Sequence, residues 1–146
     1  MNVFESKVVK LINQISRKDN ILIHCKRNVQ NRFCTQYVDI ILDCGSSNYY
    51  LAIECKRVRT NIFYFSRYFH SKQIILISEY LENSGRAGFI ALEFKKNICL
   101  IPWSLLIGHV LEGYTFFSDQ TVLTHAINMS LHLKYILKLN NEYYYK

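Results

Sequence analysis

Asp39, Glu54 and Lys56 fall within one stretch, VDIILDCGSSNYYLAIECKRVR, residues 38–59. Two carboxylates beside a lysine can hold a hard divalent cation through oxygen, present a phosphate oxygen to that cation and acidify a water for attack on phosphorus. The lysine adds a proton-bearing group that orients or deprotonates the nucleophile and balances charge in the transition state. Phosphodiester hydrolysis is the chemistry that suits such a set, provided that the three side chains converge. Alternation along a strand turns Glu54 and Lys56 to one face and Ile53 and Cys55 to the other. If Gly45-Ser46-Ser47-Asn48 is the loop of a hairpin, Cys44 pairs with Tyr49, and counting back along the ladder sets Asp39 opposite Glu54. Asp43 shares the face of Asp39 and is the rival ligand in another register. An isolated Glu-x-Lys is more often a surface ion pair, so the apolar strand, tight turn and second apolar strand around these residues carry much of the weight.

The elements that must position them follow from periodicity. Val3, Phe4, Val8, Leu11, Ile12 and Ile15 recur at three- and four-residue intervals and predict an amphipathic helix ending near 17–20, with Glu5 flanking its apolar stripe. Residues 21–25, 37–43 and 49–54 are short runs rich in β-branched and aromatic residues, and predict three strands. A second helix is predicted over about 70–83, stopped by Ser84-Gly85, then strands at 89–92 and 98–101, the latter closed by Pro102. After Ser118 a long helix is predicted over about 119–138. The order is α-β-β-β-α-β-β-α, an α/β plan in a single domain spanning 1–146.

The 146 residues are half hydrophobic, with a formal charge of +7. That charge favours a polyanionic partner, although a solvated Lys/Arg surface would produce it equally well. Five cysteines without a CxxC pair suggest neither a disulfide framework nor a zinc site, and fit a reducing, cytoplasmic setting. The first residues, broken by Glu5, Lys7 and Lys10, lack the apolar run of a signal peptide. The stretch 98–111 is too short to span a bilayer, so no membrane segment is expected. The histidines form no HxH or HExxH pair, which argues against histidine-based metal chemistry.

Val38-Asp39 and Glu54-Cys55-Lys56 resemble the PD-(D/E)XK nuclease signature, with Val38 where a proline usually stands. Within that superfamily the chain is most similar to archaeal-type Holliday junction resolvases, over about 5–106. The likeness rests on Glu5 in the first helix, the Asp39 and Glu54-Cys55-Lys56 motif, Gln73 at the start of the next helix in SKQIILISEYLENSG, and a strand that ends in IPWSLL. The resemblance implies a restriction-endonuclease-like α/β fold, with a central mixed sheet of about five strands flanked by helices. It implies that Asp39, Glu54 and the backbone carbonyl of Cys55 hold Mg²⁺, for which Mn²⁺ can substitute. By the same resemblance Glu5 completes the site, Lys56 is the catalytic lysine, and Gln73 positions the lysine or water. Two departures stand out: Ser6 follows Glu5 where such resolvases carry an arginine, and 26–37 has no glycine where they carry a mobile Gly/Ser loop.

Arg27, Arg32, Arg57, Arg59 and Lys72 gather between the first strand and the second helix, and are expected to contact DNA phosphates. Tyr and Phe interleave in NIFYFSRYFH; these rings could stack on bases, but core packing or a subunit contact is the commoner role of such a cluster. Two symmetric cuts in branched DNA call for two active sites about a two-fold axis, so a homodimer is expected, joined through helix 119–138 or residues 61–69. The same scaffold serves restriction and homing endonucleases, which makes sequence-specific duplex cleavage the alternative. A non-catalytic DNA-binding protein on this scaffold is the second alternative.

Overall fold

The computed structural model describes residues 3–20, 22–28, 37–44, 49–94, 97–125 and 127–128. A mixed sheet forms the centre of the molecule, and helices cover both of its faces. It is built from β1 (His24–Arg27), β2 (Ile40–Cys44), β3 (Tyr49–Arg57), β5 (Ala87–Phe94) and β6 (Asn97–Pro102), with the two-residue β8 (Ile127–Asn128) on one edge. The order is β1-β2-β3-β5-β6-β8, and every neighbouring pair is antiparallel except β3 and β5, which run parallel. A parallel pair needs a crossover. Here the crossover consists of β4 (Phe63–Tyr64), the short α2 (Phe65–Tyr68) and α3 (Gln73–Ser84).

Alternation along the strands supplies a core to each face. On one, α1 (Val3–Asp19) buries Phe4, Val8, Ile12 and Ile15 against Ile40, Leu42, Leu51, Ile53 and Cys55. On the other, Ala52, Ile90, Leu92 and Ile101 meet Ile77 of α3, Trp103 and Leu106 of α4 (Trp103–Leu111), and the rings of Phe63, Phe65, Phe69 and Phe117. Glu54 and Lys56 stand on this second face, while Cys55 and Arg57 face α1. Among the described residues no helix is long and apolar enough to cross a membrane.

Gly88 is a point of close approach on the second face. A Cβ there would overlap the Leu81 side chain and come within 3.1 Å of the Trp103 Cβ, so its absence lets α3 and α4 settle on β5. Gly88→Ala should therefore lower stability by about 1–2 kcal/mol, seen as a lower urea midpoint with an unchanged slope.

The elements predicted up to Pro102 are present with shifted bounds. The first strand begins at His24 rather than 21, because its partner residues on β2 run only from Ile40 to Asp43. β3 continues to Arg57, three residues beyond the predicted end, because β5 pairs with it that far. Residues 103–111 form α4, which periodicity did not reveal: Pro102 ends β6 with φ −59°, the angle that also starts a helix. A small second sheet joins β4 to β7 (Phe116–Phe117). The long helix predicted at 119–138 is corrected. It is α5, Asp119–His125, after which Ile127 and Asn128 pair with Leu100 and Cys99 of β6. The free backbone donors and acceptors on the outer edge of β6 favour a strand there over continued helix. Residues 129–138 of that prediction lie outside the described residues.

Candidate active site

The β2–β3 hairpin decides whether the carboxylates meet. Its register runs from Cys44↔Tyr49 to Ile40↔Ile53, as counted from the sequence, while the turn itself, 45–48, lies outside the described residues. One step beyond the last rung, the Asp39 N–H donates to the Ile53 carbonyl at 3.2 Å, and the Cys55 N–H donates to Asp39 Oδ2 at 2.8 Å. The side chain of Asp39 thereby takes the place of a ladder acceptor. Its carboxylate is fixed against the backbone of the Glu54-Cys55-Lys56 motif.

Glu54 is only 5% exposed, and Lys56 Nζ lies 3.4 Å from its Oε1. Burial pushes the Glu54 carboxyl up to about 9; the nearby charge of Asp39 adds to the rise, and Lys56 opposes it. The Lys56 ammonium also sits over the Phe69 ring, 4.6 Å from its centroid. Glu5, in the first turn of α1, is brought to the same end of the sheet. Its Oε2 accepts from Arg27 Nε at 2.8 Å, and Arg27 Nη1 reaches Ser6 Oγ at 3.4 Å. Burial raises the Glu5 carboxyl, the Arg27 hydrogen bond pulls it down, and the proximity of Asp39 raises it again.

Asp39 is near enough to both Glu5 and Glu54 for its charge to raise each of them. The three carboxyls nevertheless do not close around one point: Glu5 is turned to Arg27, and among the described residues no three acidic, histidine or cysteine side chains form a ready-made metal cage. The donor set that remains is Asp39 with Glu54, two oxygen ligands and no thiolate or imidazole. That set fits Mg²⁺, which takes one or two carboxylates and keeps several waters.

The other sequence candidates are placed as follows. Asp43, the rival ligand, sits about 13 Å along β2 from Asp39 and is taken by Arg86, whose Nη1 is 2.6 Å from its Oδ1. Gln73 opens α3 as expected, but its Oε1 accepts from the His70 N–H at 3.3 Å, and among the described residues it makes no hydrogen bond to Lys56 or Glu54. Burial pushes the Cys55 thiol up, away from any nucleophilic role. Arg57 is exposed and donates to Glu93 Oε1 at 2.9 Å, while Lys7 approaches the other oxygen of Glu93 at 3.4 Å. Arg59 and Lys72 are exposed, and Arg32 lies outside the described residues.

Sequence reasoning passed over Glu93 and did not single out Phe69 within its aromatic cluster. Glu93 alternates to the same face as its partner Arg57, a pairing readable only once the β3–β5 register is known. Phe69 belongs to the NIFYFSRYFH cluster, whose rings Phe63, Phe65 and Phe69 are buried as the core reading of that segment expects. No protein-family model matches the sequence, and neither does any curated protein. Among solved structures, the chain is similar to Hjc of Archaeoglobus fulgidus, a Holliday junction resolvase from an archaeal hyperthermophile. The TM-score is 0.66 over 88% of this chain and 96% of that one, at 14% sequence identity, so the two share a fold.

Proposed function

We propose that this chain is a metal-dependent endonuclease that hydrolyses phosphodiester bonds in branched DNA. The observation that carries this reading is the Asp39 carboxylate, bonded to the Cys55 N–H beside buried Glu54 with Lys56 Nζ 3.4 Å from Glu54. In this assignment Asp39 and Glu54 hold Mg²⁺, with the Cys55 carbonyl as a third oxygen donor, and Mn²⁺ can substitute. Bound there, the ion supplies Lewis acidity toward a phosphate oxygen and lowers the pKa of a water.

The remaining roles belong to the chain. Lys56 carries a proton at Nζ next to the carboxylates, where it orients the attacking water and offsets charge that develops on the phosphate. Arg27 holds Glu5 at the rim of the site and presents a guanidinium to the phosphate. Arg57, Arg59 and Lys72 contact phosphates on either side of the cut bond. Gln73 steadies the turn before α3 through His70, a support role in place of the direct contact that the family resemblance implied. Two such sites in a homodimer would make the paired cuts that a symmetric junction requires.

The choice of branched DNA rests on the shared fold, and cleavage tests it directly. With Mg²⁺ present, the protein should cut a four-way junction and leave a linear duplex of the same sequence intact. Cutting of the duplex alone would instead support the restriction- or homing-type alternative, and binding without cutting either would support a non-catalytic role.

A further inference from the structure

Lys56 has two partners on its protein side, the Glu54 carboxylate at 3.4 Å and the Phe69 ring at 4.6 Å from its centroid. The ring contact is made by Nζ itself, so it differs from the usual packing of a lysine stem on a hydrophobic neighbour. Phe69 is held firmly. It is 3% exposed, and meets Trp103 edge to face at 5.7 Å and Phe63 at 6.1 Å. Trp103 is anchored in turn, its Nε1 donating to Ser78 Oγ at 3.0 Å, and that hydroxyl donates to the Ile74 carbonyl at 2.7 Å. Phe63 stacks on Phe117 across the β4–β7 pair. Aromatic packing from three elements, α4, β4 and β7, thus ends on a single ring beneath a single ammonium.

We infer that Phe69 is a positioning residue that holds the Lys56 ammonium in line with the carboxylates through the negative face of its ring. This rests on the nuclease reading above. Glu54 cannot give its full charge both to Lys56 and to a bound cation, whereas a neutral ring has no such competing claim. The ring is therefore the anchor that keeps Nζ in place when Glu54 is engaged elsewhere.

Phenylalanines with increasing fluorination, incorporated at position 69, keep the shape of the ring while draining its negative face. Single-turnover junction cleavage should fall stepwise along the series, by roughly tenfold at its end, while melting temperature and junction affinity stay near wild type. Carbon-labelled lysine gives a readout without activity: the Lys56 ε-CH₂ protons should show an upfield ring-current shift in the wild type that is lost in Phe69→Leu. Equal cleavage rates along the series, or an unshifted Lys56 signal in the wild type, would overturn the inference while leaving the nuclease reading intact. A wild-type protein with the shift but without any cleavage would overturn both.

Discussion

The Asp39→Asn protein should bind a four-way junction about as tightly as the wild type and cut it on the order of a thousandfold more slowly. Asparagine keeps a side-chain oxygen to accept the Cys55 N–H, a bond of 2.8 Å in the native protein, so the end of the hairpin stays closed. What it removes is the charge of one of the two carboxylates proposed to hold the metal. Lys56→Ala should match it in rate while leaving untouched the exposed basic residues proposed to contact phosphates. Single-turnover cleavage and a binding titration, both at one fixed salt concentration, give the two numbers. Wild-type cutting by both variants would remove Asp39 and Lys56 from the active centre.

Glu54→Gln should also abolish cleavage, yet raise the melting temperature of the metal-free protein. The carboxyl is pushed up from 4.5 to about 9, chiefly by burial, so the fold prefers it protonated. Its contribution to stability is fully present below pH 4.5 and is lost as pH rises toward 9, because the unfolded chain gives up the proton first. Glutamine mimics the protonated form and escapes that loss. After allowance for the weakened attraction to Lys56, the gain should be on the order of 2 kcal/mol at neutral pH and vanish near pH 4.5. Mg²⁺ should reverse the order, stabilising the wild type and leaving the variant unmoved. Thermal melts across that pH range, with and without Mg²⁺, check both the sign and the reversal; a variant less stable than the wild type at every pH would show that Glu54 is held charged.

Much of this arrangement could be read from the chain, because strand alternation and a four-residue turn allow only one register that gathers Asp39, Glu54 and Lys56 on a single face. The choice between Asp39 and Asp43 could not be made that way. Both sit on that face, and what separates them is Arg86, which reaches Asp43 from the far side of the crossover. Glu5 and Arg27 were each singled out, but not as a pair: their bond joins α1 to β1 across 22 positions and exists only when the helix lies on the sheet. Gln73 differs again, since its helix could be placed from the sequence while the partner of its carboxamide, the His70 backbone, could not. At the C-terminal end, apolar periodicity suggested continuous helix, and the open edge of β6 overrode it.

The parallel joint between β3 and β5 also governs when the site can exist. Leu51 meets Ala87 and Arg57 meets Glu93, contacts between segments that are 36 positions apart in the chain. Closing so long a loop costs entropy before any contact repays it, so this joint belongs among the late events of folding. The hairpin that carries Asp39 and Glu54 is local and can form early, but the crossover that brings Phe69 beneath Lys56 settles only with that joint. A nascent or partly unfolded chain would then display its acidic pair without the positioned lysine, and the capacity to cut would arrive together with the finished fold.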